Sequence, residues 1–353
     1  MTVQSVKPLI RWPEIASLLL AGAVGGLAAA ALGLPMPYLI GSLCVSAGYT
    51  IFVANRSGRP VVFPRRLRFA FVSVIGVMIG ATFSPGLLSA LPALWPSLIA
   101  MVAFIVTAHA SVYQLFTRLG GYDRTTALYA AMPGGLVEAV MLGERAGGDV
   151  RILTVQHFAR IIIVVVTIPM LFLIWNGVAV GSAAGQVFSP EDTRVSDLAL
   201  IAALALIGAP FARLAHIPAG HLMGPLILSA TAHVGGLAGI HSPGWLLALA
   251  QLVIGVGLGT QFSAVTGRLL VRTFGLGLVS VALMMAVGAG FAAGLTTILP
   301  LPFEALFISY APGGVTEMGL VALSLEISPV IVAAHHLFRI TFTVFMVSWL
   351  KPG

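Results

Sequence analysis

The chain has 353 residues, of which 59% are hydrophobic and only 8% are charged, and its formal net charge is +7. A soluble domain of this length carries roughly a quarter charged residues, so this composition excludes a water-soluble globular protein. The arginines lie in short clusters beside apolar runs, a pattern that orients membrane helices and does not indicate nucleic-acid binding. The single cysteine, Cys44, excludes disulfides within the chain and cysteine-based metal sites.

Long apolar runs recur along the chain and predict transmembrane helices. Each is near the ~20 residues that a helix needs to cross a bilayer, and the clearest in chain order are 15–34, 67–83, 98–116, 152–175 and 330–350. The 40 glycines and 21 prolines agree with this, because membrane helices tolerate both residues. The sequence therefore predicts an all-α polytopic protein of the bacterial inner membrane, with about ten transmembrane helices.

Two parts of the chain repeat one pattern, which indicates an internal duplication. Residues 131–160 align with residues 310–339 at an offset of 179, with identities at Pro133 and Pro312, Glu138 and Glu317, His157 and His336, and Arg160 and Arg339. The same offset aligns Gly76 with Gly255 and Gly80 with Gly259. We predict a first membrane repeat over 12–175, a periplasmic linker over 176–195 and a second membrane repeat over 196–350.

The loop charges of the two repeats have opposite patterns. The loop 54–68 of the first repeat carries five arginines, whereas its counterpart 240–244 carries no lysine or arginine. The next pair of loops reverses this, because 84–95 is uncharged and 263–273 carries two arginines. Positively charged loops stay in the cytoplasm, so equivalent loops are predicted on opposite sides of the membrane. The repeats are therefore predicted to be inverted, with both chain termini cytoplasmic.

A Pro-Gly-Gly motif interrupts an apolar helix in each repeat, at Pro133-Gly134-Gly135 and at Pro312-Gly313-Gly314. Inversion requires an odd number of crossings per repeat, and we predict that these segments, about 125–147 and 304–326, are re-entrant hairpins or discontinuous helices. A break in a membrane helix persists only when it is buried in protein or lines a water-filled cavity. Paired breaks in inverted repeats are typical of a secondary transporter with its substrate site near the bilayer midplane.

Glu138 and Glu317 lie one turn into the helices that restart after the two motifs. A carboxylate inside the membrane is costly unless it is paired, protonated or hydrated. One interpretation is that each glutamate carries the coupling H⁺ or Na⁺. Others are that each is satisfied by the N–H groups of its own helix, or that it contacts the substrate.

Arg160 and Arg339 lie deep in their apolar runs and need a partner. We expect Glu138 or Glu317 in that role, either as a purely structural ion pair or with the guanidinium also free to grip a substrate carboxylate. His157 and His336 precede the arginines by three residues and share their helix face. Each could relay protons or simply hydrogen-bond a carbonyl group.

The segments LPMPYLIGSLCVSA (34–47) and IPAGHLMGPLILSA (217–230), together with PGGLVEAVML, VQHFAR and their second copies, resemble the membrane AbrB family. This bacterial family has a duplicated domain and is unrelated to the DNA-binding regulator of the same name. Its members are labelled ammonia monooxygenases or regulators. The resemblance covers essentially the whole chain and implies an inverted-repeat transporter related to cation/proton antiporters and anion transporters.

The sequence therefore predicts a secondary transporter, and not an enzyme, for a small organic anion such as a carboxylate. The predicted substrate-binding residues are both Pro-Gly-Gly motifs with Arg160 and Arg339, and Glu138, Glu317, His157 and His336 are the predicted ion-coupling residues. A membrane-bound metal-dependent oxidase and an uncoupled channel or sensor are the alternatives.

We expect neither a metal nor another cofactor, because no helix carries the close His and Glu spacing of a metal site. The expected partners are the lipid bilayer, a small-molecule substrate and the coupling ion, and no nucleic acid. A homodimer is a further option, since inverted-repeat transporters are often dimers.

Overall fold

The computed structural model of the chain describes residues 10–57, 59–84, 86, 91–177, 194–217, 219–236, 240–264, 267–325 and 327–350. Residues 178–193 of the predicted linker lie outside the described residues, as do the two charged termini. The described part is built from helices and contains no β-strand.

The helices of the first predicted repeat are α1 (Trp12–Ala31), α2 (Pro37–Ser57), α3 (Arg65–Gly80), α4 (Trp95–Arg118), α5 (Arg124–Ala130), α6 (Leu136–Arg145) and α7 (Val150–Asn176). Those of the second are α8 (Val195–Leu214), α9 (Gly220–Val234), α10 (Gly244–Gly259), α11 (Gly267–Leu295), α12 (Phe303–Tyr310), α13 (Val315–Ser324) and α14 (Pro329–Trp349). Short 3₁₀ helices precede α4 and follow α10.

Eight described helices are long and apolar enough to cross a bilayer, namely α1, α2, α4, α7, α8, α10, α11 and α14. Their burial inside the protein is partial, which leaves apolar side chains on the outer surface for lipid. The prediction of an all-α polytopic membrane protein is therefore confirmed. The predicted total of about ten transmembrane helices would include α3 and α9, which have 16 and 15 residues.

The first broken segment turns back on itself. Asp149, which follows α6, donates its backbone N–H to the hydroxyl of Thr126 at 2.8 Å, and Thr126 lies in the first turn of α5. The chain therefore returns to the level at which it entered, as a re-entrant hairpin does. Gly135 permits this turn, because its φ of +70° lies in the left-handed region. Asp149 also caps α7 by accepting the N–H of Arg151 at 2.8 Å.

The helices form two groups that each draw on both predicted repeats. In the scaffold group, made of α1, α2, α3, α8, α9 and α10, α2 packs against α10 and α3 packs against α9. In the hairpin group, made of α4–α7 and α11–α14, α7 packs against α11 and α4 packs against α14. Contacts of α3 with α13 and α14 join the two groups.

The aligned glycines lie at equivalent helix contacts in the scaffold group. Their backbones approach a neighbouring helix so closely that a Cβ atom would overlap its carbonyl oxygens, which only glycine avoids. Gly76 and Gly80 contact α9 at Leu222 and Leu226, whereas Gly255 and Gly259 contact α2 at Leu39 and Leu43.

Candidate functional site

Both Pro-Gly-Gly motifs lie inside the protein. α5 ends at Ala130 and α6 begins at Leu136, while α12 ends at Tyr310 and α13 begins at Val315. Residues 131–135 and 311–313 are buried. This meets the requirement that a broken helix at membrane depth be shielded from lipid. Each break leaves the carbonyl end of one short helix and the N–H end of the next without intrahelical partners.

A buried arginine satisfies the carbonyl end at each break. The Nη1 atom of Arg160 donates to the carbonyl oxygen of Met132, and the Nη1 atom of Arg339 donates to that of Ala311, each 28 residues upstream. Arg339 also donates through Nη2 to the carbonyl oxygen of Gly313 at 2.5 Å. The negative end of the helix dipole also stabilises a cation at this position.

These contacts differ from the ion pairs expected for the two arginines. Within the described residues, neither Arg160 nor Arg339 has a carboxylate at salt-bridge distance. The carbonyl groups freed by the break replace Glu138 and Glu317 as their partners. A guanidinium can bind these carbonyl oxygens because its five N–H donors lie in one plane and can reach several acceptors at once.

The two histidines contact the same short helices. His157 Nε2 lies 3.0 Å from the carbonyl oxygen of Tyr129, and His336 Nε2 lies 3.0 Å from that of Ile308. The Nδ1 atom of His336 lies 2.8 Å from Nη2 of Arg339. Arginine can only donate, so His336 is the neutral tautomer with its proton on Nε2. Both side chains are fully buried and bonded to carbonyl groups, the simpler of the two predicted roles.

The two glutamates lie at the N–H ends of the restarting helices. Glu138 and Glu317 each occupy the third position of their helix, and each side chain folds back towards the preceding glycine, Gly135 or Gly314. A carboxylate there offsets the positive end of the helix. Each break thus has an arginine at its carbonyl end and a glutamate at its N–H end.

Arg68 is a member of the site that sequence reasoning assigned to a charged loop. It lies in the first turn of α3 and pairs with Glu317, with 3.3 Å between Nη2 and Oε1. The aligned position in the second repeat is Leu247, so Glu138 has no corresponding arginine. No local signal marks this contact, because 249 residues separate the two partners.

The two breaks converge on one another. The Nε atom of Arg339 lies beside Gly134, 3.4 Å from where a Cβ atom would stand. Arg160 bonds the carbonyl oxygen of Met132, two residues before Gly134, so both arginines border the first break. The Nε atoms of both arginines have no hydrogen-bond partner among the described atoms. With Arg68, the site residues described so far include three arginines and two glutamates, so their formal charges sum to +1.

One position differs in chemistry between the aligned helices α7 and α14. Gln156 donates to the carbonyl oxygen of Thr273 in α11 at 3.2 Å, whereas His335 lies 2.8 Å from the hydroxyl of Ser97, just inside α4. Each therefore ties its helix to a helix of the other predicted repeat. The aligned positions 156 and 335 thus hold different residues, an amide and an imidazole, and each makes a different contact between helices.

His109 of α4 is a second residue that sequence reasoning left outside the site. It is buried beside the backbone of Ala131, at the first break. Neither ring nitrogen has a hydrogen-bond partner among the described atoms. His109 is therefore a further buried ionisable side chain at the first break.

The model of a protein family described as "Transition state regulatory protein AbrB" matches residues 49–351, a range that contains both breaks and all three aligned pairs of ionisable residues. The chain belongs to the AbrB family. The resemblance seen in the sequence motifs is therefore confirmed over most of the chain, and this AbrB chain is an α-helical membrane protein.

Two curated proteins are similar to this AbrB chain along nearly its full length. One is named "Putative regulator AbrB" from Escherichia coli (strain K12), and is 25% identical over 94% of this chain and 93% of its own length. The other is "Uncharacterized protein YhjN" from Bacillus subtilis (strain 168), 25% identical over 94% of this chain and 89% of its own. Each match therefore spans most of both chains.

Proposed function

We propose that this AbrB-family chain is a secondary active transporter of a small organic anion with a carboxylate group, located in the bacterial inner membrane with both termini cytoplasmic. One observation supports this more than any other. Two buried guanidinium groups, those of Arg160 and Arg339, border the first break without a carboxylate at salt-bridge distance in the described part of the chain. Buried charges require a counter-charge, and an anionic substrate would supply it.

The geometry of the breaks supports the same proposal. Helix ends at membrane depth and a concentration of ionisable groups are typical of transporter sites at the meeting point of inverted repeats. Arginine suits a carboxylate because its planar fork donates two parallel hydrogen bonds. Glu138 and Glu317, one in each repeat, are the candidates for carrying the coupling H⁺ or Na⁺. Movement of the hairpin group against the scaffold group would give alternating access.

Transport currents on a solid-supported membrane test the proposal. Proteoliposomes holding the purified chain are exposed to mono- and dicarboxylates, amino acids and ammonium, each with and without a pH or Na⁺ gradient. We expect a saturable current with at least one carboxylate and its loss in Glu138→Gln or Glu317→Gln. Glu144→Gln is the matched control, because Glu144 is an exposed carboxylate at the end of α6. Absence of carboxylate currents, with no counterflow of radiolabelled carboxylates, would contradict the proposal.

A further inference from the structure

The two glutamates that the duplication produced have unequal partners. Glu317 of α13 is paired with Arg68 of α3, and their side chains are 5% and 26% exposed. Glu138 of α6 has no ion pair within the described residues, and Leu247 occupies the position that would correspond to Arg68. The same carboxylate is therefore fixed in one repeat and free of a cation in the other.

The Arg68–Glu317 pair crosses the boundary between the two helix groups. α3 belongs to the scaffold group and α13 to the hairpin group, and the two helices pack against each other. A second polar contact follows at the other end of α13, where Gln251 of α10 donates to Ser324 at 3.4 Å. Residues 317–324 are all buried. α13 is thus tied to the scaffold group at both ends, while it also packs on α14 of its own group.

The aligned helix α6 lies differently. Its buried residues are Ala139 and Gly143, and it packs on α5, α7 and α14, all of them in the hairpin group. The contrast is sharpest at one aligned pair, because Met141 is 48% exposed whereas Leu320 is 0% exposed. Two helices of similar sequence therefore lie in unlike surroundings, as expected when inverted halves are captured at one end of a transport cycle.

We propose that Arg68 is a positioning residue of the transport site, whose ion pair with Glu317 latches α13 onto α3 in one end state. In the other end state this pair is broken, α13 leaves α3, and α6 packs against α10 in its place. The inference rests on the proposed function, because alternating access supplies the two end states. An interaction present in one state alone sets the balance between them, so loss of the pair shifts the population to the other state.

Cysteine accessibility tests the latch without a substrate. In a Cys44→Ser background, Met141→Cys and Leu320→Cys are made separately and their reaction rates with N-ethylmaleimide are measured in detergent. Each is combined with Arg68→Ala. The matched control is Arg59→Ala, because Arg59 forms a comparable pair with Glu14, at 2.8 Å, away from the boundary between the groups.

We expect the cysteine at 320 to react about tenfold faster after Arg68→Ala and the cysteine at 141 to react several-fold more slowly, as a shift of population requires. Arg68→Lys should restore the original rates, and Glu317→Gln should reproduce the shift if Arg68→Ala does not fold. Unchanged rates would overturn the latch. A faster reaction at both positions would also overturn it. General loosening of the structure would expose both helices, whereas an exchange between the two states exposes one helix and buries the other.

The outcome is separable from that of the transport assay. Opposite changes at 141 and 320 in a protein that moves no carboxylate would leave the latch in place and contradict the transporter. Carboxylate transport with equal labelling in Arg68→Ala and wild-type protein would contradict the latch alone.

Discussion

Replacing Arg339 by alanine should destabilise the protein more than any other single change at the breaks. The guanidinium is fully buried and bonds the carbonyl oxygens of Ala311 and Gly313 and the ring of His336. Leaving a buried polar group unsatisfied costs about 1–3 kcal/mol. Ala311 keeps a hydrogen bond from the backbone N–H of Gly313 at 2.8 Å, so its carbonyl contributes less than a full penalty.

We therefore expect a loss of about 2–6 kcal/mol in the free energy of unfolding for Arg339→Ala, since the Gly313 carbonyl and His336 Nδ1 each lose a donor. Arg160→Ala should lose about 1–3 kcal/mol, because Arg160 bonds the single carbonyl of Met132. Arg339→Lys keeps one donor and should lie between Arg339→Ala and the wild type. Arg151→Ala, an exposed arginine on the same helix as Arg160, should change stability by less than about 0.5 kcal/mol.

The assay is reversible unfolding in mixed micelles, followed by the fluorescence of the native tryptophans. A loss in Arg339→Ala no larger than in Arg151→Ala would refute the assignment of Arg339 to the break. A gain in stability would refute it in a more informative way. That result would mean that repulsion between the two buried guanidinium groups outweighs their bonds to the carbonyl oxygens.

Three further predictions concern other parts of the chain. Gly135→Ala should cost about 1–2 kcal/mol because φ is +70° there, whereas Gly134→Ala should be mild, which thermal unfolding would show. Cysteines at Ser57 and Ser242 should be shielded and accessible, respectively, to an impermeant maleimide in intact cells, and equal labelling would contradict inverted repeats. Burial raises the pKa of Asp123, but hydrogen bonds from the first turn of α5 outweigh this and hold that pKa below its usual value. The cap should therefore stabilise α5 at neutral pH and be lost as the pH falls through the lowered pKa, so Asp123→Asn should remove that acid sensitivity from thermal unfolding.

Features that depend on local sequence were predictable. Apolar length predicts α7 and α14, and the Pro-Gly-Gly motifs predict the interruptions after Ala130 and Tyr310. Asp149 directly precedes α7, and as a short acidic residue at that position it accepts two backbone N–H groups of the helix. The helix lengths, the breaks and the cap all follow from the covalent geometry and hydrogen-bonding groups of a few neighbouring residues. Such local preferences do not depend on the fold.

The partners of the charged residues were not predictable in this way. Arg160 was expected to form an ion pair with a carboxylate, because a buried charge at membrane depth is costly without an opposite charge beside it. Arg160 instead donates to the carbonyl oxygen of Met132. The helix break leaves this backbone acceptor free, and a comparison of charged residues alone does not identify it. Arg68 was assigned to a loop because α3 begins among a run of arginines. Its contact with Glu317 depends on how two helices distant in sequence, α3 and α13, pack together, which no single segment of the sequence predicts.

Each arginine follows its carbonyl acceptor by 28 residues in the sequence, and this separation affects how the chain enters the membrane during synthesis. When the first hairpin leaves the ribosome, the carbonyl of Met132 has no partner, because Arg160 is still to be made. The hairpin cannot rest in hydrocarbon with that group exposed. We therefore expect α5, α6 and α7 to leave the translocon together, with α12, α13 and α14 following in the same manner, so that three helices and not one form the unit of insertion.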